Sequence, residues 1–211
     1  MGFDLTGLNP TVNKVYPKRY NDIMNKYGKD GWLDWSMKIP EDVKDEYFKL
    51  KDQFQTDNPG DYFRNNVWWW RPLWDFVCNS CDDFLSEKDI EKGFYNDDRK
   101  ISKTKSLKIA KRLSKLIADG TVDTLERAST LAIERAEVHN KEVRKEMDAI
   151  SNACEKEHGE MRAPANYPEP YYSQWKKAYE KEDWTTSYPF YANNVKDFAT
   201  FCQQSGGFTI C

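Results

Sequence analysis

The sequence predicts a mainly α, single-domain helical protein with an aromatic-rich core and a minor β element that pairs the N- and C-terminal segments. Apolar residues recur at helical spacing through most of the chain, whereas both ends alternate as strands do. Aromatic residues make up 15% of the chain and aliphatic residues are sparse, so rings should build most of the core. At 211 residues the chain fits one domain.

The first part of the chain is predicted to contain a strand and two helices. Residues 2–5 alternate as a short strand does, and a helix follows over residues 17–28. An extended piece over residues 33–39 leads to a second helix at 40–57, which has a single apolar stripe formed by Val43, Tyr47, Leu50 and Phe54. We interpret the block 11–57 as an inserted helical segment.

Residues 62–76 hold four of the eight tryptophans and are the segment around which the fold is organised. Proline suits the first turn of a helix, so we expect a helix to begin at Pro72 after an irregular or extended approach. Its apolar face is predicted to contain Leu73, Phe76, Val77, Cys81, Phe84 and Leu85. Ser86 should cap a short helix over 87–92, and residues 95–98 have turn chemistry.

The clearest helical pattern covers residues 103–119 and ends at Gly120. Its apolar side is formed by Ile109, Ala110, Leu113, Leu116 and Ile117. Its opposite side is a basic face that consists of Lys105, Lys108, Lys111, Arg112 and Lys115. This basic face could contact phosphates, or it could be solvated or lie against acidic segments of the same chain.

Residues 121–158 are predicted to form a long polar helix or a helical hairpin broken near His139-Asn140. The apolar stripe is thin and consists of Leu125, Ala132, Ala136, Val143, Met147, Ile150 and Cys154. A continuous helix of this length would span ~55 Å. It should therefore protrude, fold back, or pair with a second copy of the chain as a homodimer.

Two further helices and a strand are predicted after a connection that contains prolines. The first helix presents an aromatic face formed by Tyr171, Tyr172, Trp175 and Tyr179. The second, capped by Asn193 or Asn194, should turn Val195, Phe198, Ala199 and Cys202 inward. Residues 208–211 alternate like a strand that could pair with the N-terminal strand.

The tryptophan segment is the main candidate binding site. Its candidate residues are Arg64, Asn65, Asn66, Trp68, Trp69, Trp70 and Arg71. They could form a platform for a ligand or a single strand, or an aromatic core capped by arginines. Both can hold, because three consecutive tryptophans cannot all point inward, so at least one should be partly exposed.

No signature of catalysis or of a cofactor is present, because the chain has two histidines and lacks GxSxG, HExxH and P-loop motifs. The weak metal candidates are Cys78, Cys81, Cys154 and His158, and the alternative is that these cysteines are small hydrophobic residues. The five cysteines, with no export signal or membrane span expected, indicate reduced thiols in a cytoplasm.

Two blocks of the sequence resemble a family of uncharacterised proteins of bacteriophages, including marine ones, and of some bacteria. These blocks are GDYFRNNVWWWRPLWDFVCNSC, from Gly60, and YPFYANNVKDFATFCQQSGGFTIC, from Tyr188. The resemblance implies a phage-type context and no known activity. Many members of that family carry paired CxxC knuckles between the two blocks, whereas this chain has only Cys154 there.

We therefore expect a non-enzymatic protein-interaction module that binds a host or phage protein in the host cytoplasm. The first alternative is a single-stranded nucleic-acid binder that uses the basic helix 103–115 with aromatic stacking, although the net charge of −3 does not favour nucleic acid. The second alternative is a zinc-binding or metal-dependent protein.

Overall fold

The computed structural model describes residues 2–95, 99–160 and 163–211, and these form two compact units. Unit 1 comprises Met1–Val122 and Ala192–Cys211, and unit 2 comprises Asp123–Tyr191. The expectation of a single domain stays a prediction. In the part of the chain that the structure describes, no helix combines the length and the apolar character that crossing a membrane requires.

The chain is mainly α, as the sequence predicted, and it has a small antiparallel sheet. The strands are β1 (Gly2–Gly7), β2 (Gly28–Lys29), β3 (Trp32–Leu33), β4 (Tyr62–Asn66), β5 (Arg99–Ser102) and β6 (Gly207–Ile210). The helices are α1 (Lys18–Tyr27), α2 (Glu41–Asp57), α3 (Val67–Ser80), α4 (Glu87–Lys92), α5 (Lys103–Ala118), α6 (Thr121–His158), α7 (Tyr171–Tyr179) and α8 (Ala192–Gln204).

The four-stranded sheet of unit 1 confirms the predicted pairing of the terminal strands. Its order is β4-β1-β6-β5, and Leu5 of β1 lies opposite Ile210 of β6. One face of the sheet is apolar and buries Phe3, Leu5, Ile101, Phe208 and Ile210. The helices α3, α5 and α8 complete this core, and α5 and α8 pack closely against each other. The outer face of the sheet is polar.

The tryptophan helix α3 begins at Val67, so the expectation that it begins at Pro72 after an extended approach is wrong. The side chain of Asn66 accepts a hydrogen bond from the Trp69 N–H, which caps the helix five residues earlier. Pro72 lies inside the helix, where it removes one backbone donor. The Asn66 cap and the burial of Trp70 outweigh the loss of this one backbone donor.

Of the other predicted elements of unit 1, some need correction and one is confirmed. The extended piece at 33–39 is reduced to the short strand β3, and β5 was not predicted. Asn193 and Asn194 lie inside α8 instead of capping it, because α8 begins at Ala192. The capping box of Ser86 on α4 is as expected. The predicted turn at 95–98 lies, apart from Tyr95, outside the described residues.

Residues 11–57, which we continue to name the inserted segment although an insertion stays a prediction, connect the neighbouring strands β1 and β4 and have their own hydrophobic cluster. The buried members are Tyr20, Ile23, Leu33, Ile39 and Tyr47. Asn58, fully buried, closes its base, because its side-chain oxygen accepts from the backbone N–H groups of Asn13 and Lys14 at 2.6 and 3.0 Å. Its amide nitrogen donates to the carbonyls of Lys14 and Phe54.

Unit 2 is built on α6, which runs for 38 residues without a break, so the chain forms the long helix and not the hairpin. Of the predicted stripe, Ala136, Val143 and Cys154 are buried, whereas Leu125 is exposed. Asn140 is buried and exchanges two hydrogen bonds with the backbone of Asp183. The homodimer through this helix stays a prediction.

Candidate functional site

The tryptophan segment is divided between the core and the surface. Trp70 and Trp74 are fully buried, and Trp70 stacks on Phe3 with ring centroids 5.3 Å apart. The indole N–H of Trp70 donates to the Gly93 carbonyl at 2.6 Å, and that of Trp74 donates to the Ile90 carbonyl at 2.9 Å. A Cβ at Gly93 would lie 2.0 Å from the Trp74 ring, so this close approach requires glycine.

The other candidate residues of this segment do not gather into one site. Trp68 and Trp69 are 46% and 43% exposed, which confirms that not all three tryptophans point inward. Arg64 and Arg71 are exposed. Asn65 is buried and donates to the Asn194 side chain at 2.8 Å, while Asn66 caps α3. The segment therefore combines core, cap and surface roles.

The basic face of α5 is partly used inside the protein. Lys105 binds the carboxylate of Asp89, and Arg112 binds the Asp83 carboxylate at 2.9 Å and the carbonyl of Ser80. Lys108, Lys111 and Lys115 are exposed. Two of the five cations thus lie against acidic or carbonyl groups of the same chain, and three remain at the surface.

The cysteines that were weak metal candidates are buried. Burial raises the pKa of Cys78 and of Cys81 to about 12, and both lie at the C-terminal end of α3, where a helix does not stabilise a thiolate. Cys154 is buried in unit 2, where His158 packs edge-on against Tyr171. Among the described residues no three His, Cys, Asp or Glu side chains are grouped to hold a metal.

A cleft of about 510 Å³ lies in unit 1 where the inserted segment meets the outer face of the sheet. The sheet contributes Thr6, Tyr62 and Arg64. The inserted segment and the turn after it contribute Tyr16, Tyr20, Gly31, Trp32, Phe48, Lys51, Asp52, Gln55 and Asp61. Of the predicted site residues, Arg64 alone lines this cleft. Its size is typical of small-molecule sites.

A tight hairpin and one helix face position the aromatic groups of the cleft. Lys29 of β2 pairs with Trp32 of β3, so only Asp30 and Gly31 form the loop. Both have positive φ, as a type I′ turn requires, and this turn places Trp32 at the cleft. Phe48 and Lys51 lie one turn apart on α2, and the ammonium of Lys51 is 3.4 Å from the Trp32 ring centroid.

Two opposite charges in the cleft are half-buried and lack a direct ion partner. Burial raises the pKa of Asp61, partly offset by the charge of Lys51, and burial lowers the pKa of Lys51. Within the described ranges neither group forms an ion pair. Perturbed ionisable groups in a concave, aromatic-lined site are typical of binding sites.

Trp32 and Phe48, which line the cleft, belong to a group of exposed apolar side chains, the aromatic rim, which consists of Trp32, Trp35, Met37 and Phe48. These side chains are 60%, 62%, 45% and 44% exposed, respectively. Trp35 and Phe48 stack with ring centroids 6.2 Å apart, so the rim is continuous across the hairpin and α2. All four residues belong to the inserted segment.

The sequence prediction missed the cleft and the rim, although one local signal was present. Asp30-Gly31 is a strong hairpin signal, and it would have paired Trp32 with Lys29. The stripe of α2 correctly marked Tyr47 as buried, which leaves Phe48 and Lys51 off the core side. No local signal connects these residues to β4, because that contact is tertiary.

Comparison of the chain with protein-family models, with curated proteins and with solved structures finds no match.

Proposed function

We propose that this protein is a non-enzymatic protein-interaction module, encoded by a phage and acting in the host cytoplasm, that docks a partner through the aromatic rim. The observation that carries the proposal is the exposure of Trp32, Trp35, Met37 and Phe48 on one small segment. Exposed apolar patches mark interaction sites, and aromatic residues and methionine are enriched in interface centres. The resemblance of the two sequence blocks supports the phage context.

The rim is better suited to docking than the surface tryptophans of α3. Trp35 is 62% exposed, compared with 46% for Trp68 and 43% for Trp69. It lies with Met37 in the loop after β3, between the buried Leu33 and Ile39. A rigidly held, solvent-exposed indole loses little conformational freedom on binding. The partner that fits is a folded host or phage protein with an apolar pocket that accepts the Trp35 indole.

A pull-down from infected host lysate, followed by binding of the purified partner, tests this proposal. We expect one partner whose Kd for Trp35→Ala is weakened about 30-fold or more, as for a hot-spot residue worth about 2 kcal/mol. Trp68→Ala, which removes an equally large exposed ring from α3, should leave the Kd unchanged.

Four results would contradict the proposal. Recovery of no partner, or equal binding by Trp35→Ala and wild type, would remove the rim as the docking surface. Loss of binding in Trp68→Ala instead would assign docking to α3. Turnover on a panel of small molecules would contradict the absence of catalysis.

Single-strand binding through α5 is the second candidate, because Lys108, Lys111 and Lys115 remain exposed on successive turns. It requires an affinity that falls steeply with added salt. The triple substitution of these lysines by alanine should abolish a gel shift with a single-stranded oligonucleotide at low salt. Absence of any shift for the wild-type protein would remove this candidate.

A further inference from the structure

The cleft shares Trp32 and Phe48 with the aromatic rim, and it also contains charged groups that lie outside the rim. Its walls carry the rings of Trp32, Phe48 and Tyr62. Its interior holds the half-buried charges of Lys51 and Asp61. Arg64 stands on the sheet side of the cleft. A ligand that satisfies all three must be planar and apolar on its faces, must hydrogen-bond at its edge and must carry an anion.

A nucleobase meets the first two requirements. Aromatic side chains stack on bases, and Trp32 stays 60% exposed although the Lys51 ammonium lies over one face of its ring. The Asp61 carboxylate accepts hydrogen bonds, and the Lys51 ammonium donates them. Guanine offers two adjacent N–H donors to a carboxylate and an O6 acceptor to an ammonium on one edge, so it matches these two side chains better than bases with a single donor there.

Arg64 meets the third requirement. Its side chain is 69% exposed, and only its Nε approaches Asp4, at 3.5 Å. The ends of the guanidinium form a fork whose geometry matches a phosphate. A zwitterionic amino acid with a neutral side chain could bridge Lys51 and Asp61, but its only anionic group would be used by Lys51, which leaves Arg64 without a role.

We propose that this cleft binds a purine nucleotide, with guanine preferred, whose base lies among Trp32, Phe48 and Tyr62 and whose phosphate binds Arg64. The directions of the pKa shifts support this assignment, because they show that burial has removed water from Asp61 and Lys51. The edge of a base would supply the hydrogen-bond partners that replace this water. The site goes beyond partner docking, since Asp61 and Arg64 lie outside the aromatic rim. The nucleotide could be free or part of a single strand.

Calorimetry with GMP, AMP and UMP tests the proposal on the full chain. We expect GMP to bind most tightly and Asp61→Asn to weaken its Kd tenfold or more. Asp45→Asn changes an exposed carboxylate on α2 that does not line the cleft, and this variant should bind GMP as wild type does. Arg64→Ala should weaken the binding of GMP but not the binding of guanosine, because guanosine lacks the phosphate.

Further experiments distinguish a free nucleotide from a single strand, and binding in the cleft from docking at the aromatic rim. A guanine-containing single strand that competes with GMP, also when Lys108, Lys111 and Lys115 are alanine, would place the strand in the cleft. Asp61→Asn should retain partner docking, and Trp35→Ala should retain GMP. Undetectable GMP binding at millimolar concentration, an unchanged Kd for Asp61→Asn, or tighter binding of UMP would overturn the proposal.

Discussion

Two aromatic regions of unit 1 use tryptophan in opposite ways. In the sheet–helix core, Trp70 and Trp74 are fully buried, and each indole N–H donates to a backbone carbonyl. In the inserted segment, Trp32 and Trp35 are more than half exposed. The same residue type therefore stabilises the fold in one region and presents a binding surface in the other.

The difference shows that burial, rather than tryptophan content, separates structural from functional aromatic residues here. The core rings lie among Phe3, Phe198 and each other, so their removal leaves a cavity and unpaired carbonyls. The rim rings have neighbours on one side and solvent on the other. Substitution in the rim should therefore affect binding and spare stability.

The largest effect is expected from substitutions that contrast the two regions directly. Trp70→Ala should lower the free energy of unfolding by about 4 kcal/mol, because a buried indole, its stacking and its hydrogen bond to Gly93 are lost. Trp35→Ala should change it by less than about 0.5 kcal/mol. Urea unfolding followed by circular dichroism measures both values.

Similar effects of the two substitutions on the free energy of unfolding would contradict the distinction between structural core rings and functional rim rings. A loss of more than about 2 kcal/mol in Trp35→Ala would mean that the rim ring is structural. Should Trp70→Ala fail to fold, Trp70→Phe keeps a ring and loses the hydrogen bond, and its effect should be about half as large.

The next effect contrasts a satisfied carboxylate with an unsatisfied one. Asp89 is 2% exposed, and although burial opposes it, hydrogen bonds from Lys105, Lys92 and Ser86 hold the pKa of Asp89 well below its usual range. Asp89→Asn should cost about 3 kcal/mol at pH 7, because two ammonium groups lose their counter-charge. Asp61→Asn should be neutral or stabilising at pH 7, since burial raises the pKa of Asp61 and the charged form is disfavoured in the folded state.

The pH dependence follows from the direction of each pKa shift. A carboxyl with a depressed pKa in the folded state stabilises it above its unfolded pKa of about 3.9 and loses this contribution as pH falls further. The difference in the free energy of unfolding between wild type and Asp89→Asn should therefore become smaller as the pH falls from 4 to 2. Free energies of unfolding measured at pH 4 and pH 2 check this prediction. A constant difference between the two proteins would mean that the depressed pKa of Asp89 does not stabilise the folded state.

Local sequence patterns predicted the elements of the fold well, but they did not predict the site. Helical periodicity located α5, and alternation located the paired termini β1 and β6, because both signals repeat within one element. Pro72 misled the start of α3, since the Asn66 cap and tertiary burial of Trp70 outweigh one missing donor. The cleft depends on β4 meeting α2, and no local pattern specifies that contact.

The smallest effect tests whether the inserted segment is a separately held region. Asn58→Ala removes four hydrogen bonds, of which three join residues 13 and 14 to the end of α2 and the fourth joins Asn58 to the Phe54 carbonyl. Because the backbone N–H groups of Asn13 and Lys14 lose their part-buried acceptor, we expect a cost of about 2 kcal/mol. Hydrogen exchange should accelerate over residues 11–57, while the amides of α3 keep their protection.

Asn25→Ala is the matched control, because Asn25 is exposed on α1 of the same segment and its replacement should leave exchange unchanged. Equal acceleration in α3 and in residues 11–57 would mean that the two aromatic regions unfold as one cooperative unit. Acceleration confined to the inserted segment would show that the rim and the cleft wall open without disturbing the tryptophan core. A binding surface that opens independently of the core can adapt to its ligand without loss of the fold.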